Sequence, residues 1–117
     1  MPAWGHTLSV QVKGEAMLVE FSIVPLGSGV SVSDRVAEVM KIIDASGLPY
    51  RINPMGTIVE GEWEAVLGLI KACHKTTLKH EERVLTTIRI DDRKGATNRI
   101  EDKIRSVEKK IGKALRT

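Results

Sequence analysis

Residues 49–67 read PYRINPMGTIVEGEWEAVL, and the fold turns on how this stretch divides. Tyr50 and Ile52 alternate with Arg51 and Asn53, the two-residue period of a short strand over residues 49–55. Gly56 permits a tight turn or a bulge, after which residues 57–60 continue as a further strand. Gly61 then separates that strand from a helix, in which Trp63, Val66, Leu67, Ile70 and His74 recur at i, i+3, i+4, i+7 and i+11. Two strands joined by a minimal turn, with a helix running to about Lys79 directly behind them, form the middle of a larger alternation.

Upstream, Met17–Leu26 (MLVEFSIVPL) is β-branched and aliphatic and stops at Pro25 and Gly27, which reads as a central strand. Gly27-Ser28-Gly29 is a loop. Ser31 with Asp34 three residues later suits a capping box, and Val36, Val39, Met40 and Ile43 keep helical spacing until Gly47 supplies a stop. Downstream, residues 83–90 (RVLTTIRI) alternate as a fourth strand, and residues 91–96 are a polar loop. Asn98 with Glu101 suits a second capping box, opening a third helix whose stripe is Ile100, Ile104, Val107, Ile111 and Leu115.

The order strand, helix, strand, strand, helix, strand predicts an α+β, ferredoxin-like βαββαβ domain over residues 17–117, with one antiparallel sheet, both crossover helices on one face, and an added C-terminal helix. Residues 1–16 stand outside it as an N-terminal extension. There Leu8, Val10 and Val12 alternate with polar neighbours, as an extra edge strand would. The sheet face away from the helices is left open, yet Leu18 and Val24 share the parity of Glu20, and Leu85 shares that of Thr87 and Arg89. Association of copies is the simplest cover for such a face, so a homo-oligomer is expected.

Composition narrows the setting. A chain of 117 residues, 42% hydrophobic and 28% charged, has room for one core. Its only cysteine is Cys73, which excludes an internal disulfide and suits a reducing, cytoplasmic compartment. No apolar run approaches the roughly 20 residues of a bilayer span, so no membrane partner is expected. Only Gln11, Asn53 and Asn98 carry side-chain amides while Lys and Glu abound, a balance that points to a heat-adapted source. The net charge of +3 is uneven: residues 1–70 hold four bases against eight acids, and residues 71–117 hold fourteen against seven.

Most chemistries find no support. Cys73, His74 and His80 lack the spacing of metal ligands on a helix, and Cys73 suits a core position. No nucleophile has a signalled base. Glu62 and Glu64 read as first-turn acids favoured by the helix dipole. The Gly27-Ser28-Gly29 loop lacks the Lys and Ser/Thr of a phosphate-binding motif. The basic third helix, with Lys103, Lys109, Lys110, Lys113 and Arg116, could meet nucleic acid, but no aromatic platform accompanies it, which disfavours that alternative. A purely structural assembly subunit is the other alternative.

Pro54-Met55-Gly56-Thr57 followed by Val59-Glu60-Gly61-Glu62-Trp63 resembles the small thiamine-binding proteins. Val24-Pro25-Leu26-Gly27, Ser46-Gly47-Leu48 with Tyr50, and residues 86–91 (TTIRID) support the resemblance in collinear order over residues 17–93. It implies the ferredoxin-like fold, dimers that extend the sheet, tetramers made by apposing sheet faces, and binding or sensing of thiamine or its hydroxymethylpyrimidine part without catalysis and with no required cofactor. The candidate ligand-binding residues are polar or soft side chains at the open face or its rim. Glu20 would accept from a cationic or amino-pyrimidine group, and Ser22, Asn53 and Thr87 would hydrogen-bond ring nitrogens or the amine. Thr57 would donate to a ring edge, and Met55 would pack on the ring face. Glu20 has a competing partner in Arg51 or Arg89 across the sheet.

Overall fold

The computed structural model describes residues 16–27 and 32–117. The edge strand expected in the N-terminal extension and the cap expected at Ser31 lie outside them. The elements are β1 (Met17–Leu26), α1 (Val32–Ala45), β2 (Tyr50–Asn53), β3 (Gly56–Gly61), α2 (Trp63–Leu78), β4 (Arg83–Asp91) and α3 (Arg99–Ile111). The strands form one antiparallel sheet in the order β2-β3-β1-β4, which is the predicted α+β, ferredoxin-like arrangement.

β1 is central because it is the most continuously apolar strand and is hydrogen-bonded on both sides. Its odd-numbered residues Met17, Val19 and Phe21 are buried with Val59 of β3 against Ile43 of α1 and against Val66, Leu69, Ile70 and Cys73 of α2. Burial of these aliphatic side chains, each contributing roughly 1.5–3 kcal/mol, is what holds the two helices on one sheet face. Register puts the even residues on the other face: Leu18 opposite Glu60 and Asp91, Glu20 opposite Ile58 and Arg89, Ser22 opposite Thr87.

The β2–β3 connection is a two-residue turn. Asn53 pairs with Gly56, and the Asn53 Oδ1 accepts the Met55 N–H at 2.7 Å, a side-chain hydrogen bond that closes the turn around Pro54 and Met55. Glycine is required at 56 for closeness rather than for unusual torsions. A Cβ there would stand 2.8 Å from the Phe21 backbone oxygen.

Two expectations about α3 need correction. Asn98 has a left-handed backbone (φ 54°) and its side chain makes no cap bond; the first N–H groups of the helix are taken by Glu60 of β3 instead. The helix also stops before Leu115, because Gly112 turns left-handed (φ 71°) and its N–H returns to the Glu108 carbonyl at 2.8 Å. The face opposite the crossover helices is therefore not wholly open. Its Leu18–Glu60–Asp91 end is closed by the first turns of α3, with Arg51 bonded to Glu101 on the β2 side, and Arg99 (2.6 Å) and Lys103 (3.3 Å) bonded to Asp91 on the β4 side.

Candidate functional site

At the far end of the sheet from α3, a cleft of about 240 Å³ opens where α1 passes the β2–β3 turn. Val36, Val39 and Met40 of α1 form one wall, and Phe21, Ile23 and Ile52 form the other, all apolar. Polar groups enter from the strands and the turn: Ser22, Asn53 and Thr57. Ser22 belongs by parity to the opposite sheet face. It lines the cleft next to the close approach of Gly56 to β1, where a Cβ at position 56 would lie 3.7 Å from the Ser22 Cβ.

Among the described residues, Arg35 is the only ionisable one that lines the cleft. Its Nε donates to the Glu81 Oε2 at 2.9 Å and its Nη1 to the Glu38 Oε1 at 3.1 Å, and His80 Nε2 approaches Glu38 at 3.2 Å. The Glu81 side chain is wholly buried, so its hydrogen bond to Arg35 raises the guanidinium pKa further and keeps that group charged. Two carboxylates face one guanidinium here. The rim of the cleft is thus no bare positive charge but a fixed network that ties α1 to the α2–β4 loop.

The structure brings together Ser22, Asn53, Met55 and Thr57 from the six candidates. The Asn53 Oδ1 is held by the turn, where it accepts the Met55 N–H. Glu20 and Thr87 stand elsewhere. Glu20 pairs with Arg89 at 3.0 Å in a separate hollow with Leu18, Ile58 and Lys103, and Thr87 sits exposed opposite Ser22. The α1 wall and Arg35 were not legible as site residues, since the spacing of Val36, Val39 and Met40 is equally that of a helix packing into the core. No local signal marks the face of a helix that borders a cavity.

Other candidate chemistry is accounted for by structure. Cys73 is buried, and burial pushes its thiol up to about 11. His74 Nδ1 lies 2.6 Å from the Thr86 hydroxyl. Among the described residues no three His, Cys, Asp or Glu side chains gather as metal ligands would, and no helix is long and apolar enough to cross a membrane. In α3, Arg99 and Lys103 are engaged by Asp91 and Arg105 lies 3.6 Å from Glu101, so part of the basic charge is spent inside the chain.

Comparison with known proteins matches residues 19–108 to a family described as thiamine-binding protein. The chain is 36% identical over 91 residues to a UPF0045 protein of Methanocaldococcus jannaschii, covering 78% of this chain and 91% of the relative. It is 39% identical over 100 residues to the UPF0045 protein YqgV of Bacillus subtilis, covering 80% and 96%. A crystal structure of the M. jannaschii protein superposes with a TM-score of 0.73 at 35% identity, over 80% of this chain and 96% of that one. A Thermotoga maritima protein, described as a candidate thiamine biosynthesis/salvage protein, shares the fold with a TM-score of 0.68 at 23% identity, over 79% and 98%.

Proposed function

Since this chain belongs to the thiamine-binding protein family, we propose that it binds thiamine or its hydroxymethylpyrimidine part, as a non-enzymatic binding or sensing protein. The observation that carries this reading is the cleft at the β2–β3 turn, where apolar walls enclose Ser22, Asn53 and Thr57 beside the Met55 thioether. A planar aminopyrimidine needs those two things together: apolar faces for its ring, and a few fixed donors and acceptors for its edge. Thr57 is almost fully buried, and its β-branched side chain has few rotamers to choose from. Asn53 offers its amide N–H groups. Met55 caps the ring face.

Glu20 and Thr87 enter the proposal as the adjoining open-face row. Thr87 faces Ser22 across the strand pair, and Glu20 would serve an amino group by exchanging Arg89 for it. Self-association into dimers that extend the sheet, and dimers of dimers through sheet faces, belongs to the same reading. It is supported by the exposed Val24 and by Leu85, Ile88 and Ile90 on the edge strand β4. The single buried thiol supports a cytoplasmic setting.

Calorimetric titration with thiamine and with hydroxymethylpyrimidine decides the matter. The expected result is saturable binding, weakened about tenfold in T57V because a buried ring polar atom loses its partner, with ligand recovered chemically unchanged. Neither heat nor a thermal shift from either compound at millimolar concentration would overturn the proposal.

A further inference from the structure

Among the described residues, one sulfur stands largely in solvent. Among the described residues, Cys73 is fully buried, with its thiol pushed up to about 11, and Met17 is 1% exposed. Met40 is half-buried in the cleft wall. Met55 is 84% exposed at the cleft mouth. The turn fixes the backbone that carries it. Pro54 fixes the preceding torsion, Asn53 Oδ1 holds the Met55 N–H, and Gly56 is pressed against the Phe21 carbonyl. The thioether thus stands in solvent on a hydrogen-bonded turn, beside the exposed apolar Ile52 and Val36.

We infer that Met55 is a site of oxidative modification, and that its conversion to the sulfoxide by hydrogen peroxide weakens ligand capture at the cleft. This inference rests on the binding role proposed above. Peroxide attacks through one oxygen: its O–O bond breaks, an S–O bond forms on the thioether, the sulfur is oxidised by two electrons, and the peroxide leaves reduced to water. The chemistry suits a peroxide because oxidation of a thioether needs access but no ionisation, whereas the buried protonated thiol of Cys73 offers neither access nor thiolate. The product is polar and strongly hydrated. It cannot lie on a ring face as the thioether does, and its hydration shell competes with closure of the apolar mouth against Ile52 and Val36.

The test uses the full chain. Protein is exposed to graded hydrogen peroxide, peptides are mapped by mass spectrometry, and unoxidised and oxidised samples are titrated with thiamine and hydroxymethylpyrimidine. Met55 takes up oxygen well ahead of Met17 and Met40, and the sulfoxide form binds about two- to tenfold more weakly, the range of a lost sulfur–ring contact. Methionine sulfoxide reductase with a dithiol removes the oxygen as water and restores binding. M55L has its own reduced affinity, and that affinity no longer responds to peroxide.

Oxidation of Met55 no faster than that of Met17 and Met40 overturns the inference, as does equal binding before and after oxidation. In both cases binding by the unoxidised protein leaves the proposed function standing. Selective oxidation without binding in either form sinks the proposed function, and the link between Met55 and ligand capture falls with it.

Discussion

The carboxylate of Glu60 on β3 caps α3, accepting the backbone N–H of Arg99 at 2.8 Å and of Ile100 at 3.3 Å across 39 and 40 residues of sequence. A helix start leaves its first N–H groups unpaired, and the usual remedy is a side chain one to three residues away. Here the remedy is a nearly buried acid on a strand, 4% exposed, whose charge also suits the positive end of the helix.

E60A should cost about 1–2 kcal/mol, the range of a lost cap, and E60Q less because it keeps one acceptor. Hydrogen exchange locates the loss: the α3 amides should exchange faster than the global change in stability predicts. Unchanged protection in α3 would show that Glu60 does not hold the helix.

G56A tests the close approach of β3 to β1. The added carbon would meet a backbone oxygen at 2.8 Å, and backbone cannot swing aside as a flexible side chain can. The expected loss is about 1–3 kcal/mol, read as a lower urea midpoint at unchanged slope. Because Ser22 and Gly56 border the cleft, ligand affinity should fall in the same variant. A variant as stable as the wild type would refute the packing argument.

Acidification should loosen α3. Asp91 accepts from Arg99 and Lys103, and the Arg99 hydrogen bond above all holds its carboxyl below the usual range. The native pKa is thus lower than the unfolded one, so this stabilisation is complete above about pH 4 and is lost as pH falls through the native value. D91N should flatten that acid limb in a series of denaturation curves. Identical acid limbs would assign the loss to other groups.

Cys73 should be silent in the folded protein. Its thiol is raised from 9.0 to about 11 by burial, so at about pH 8 neither access nor ionisation favours alkylation. Iodoacetamide should label it only at the rate of unfolding. Because the unfolded thiol ionises first, stability should also decline with pH from the ordinary thiol value up to about 11. Rapid labelling under native conditions would contradict its burial.

The sequence by itself determined the element order, the sheet class and the turn. Alternation in Met17–Leu26 and residues 83–90, helical spacing from Trp63 to His74, and the Pro54–Gly56 punctuation depend on bonds and sterics among residues a few positions apart. The same locality explains what it misplaced: Asn98 has the right chemistry and spacing for a cap, yet the chain enters α3 in a left-handed turn and Glu60 arrives from a strand. Only the tertiary structure decided that Glu20 faces Arg89, that α1 completes the cleft, and that Arg35 at its edge is fixed by Glu81, 46 residues away. Caps, ion pairs and cavity walls are contacts between surfaces, and which surfaces meet is set by burial of the whole core rather than by any neighbouring residues.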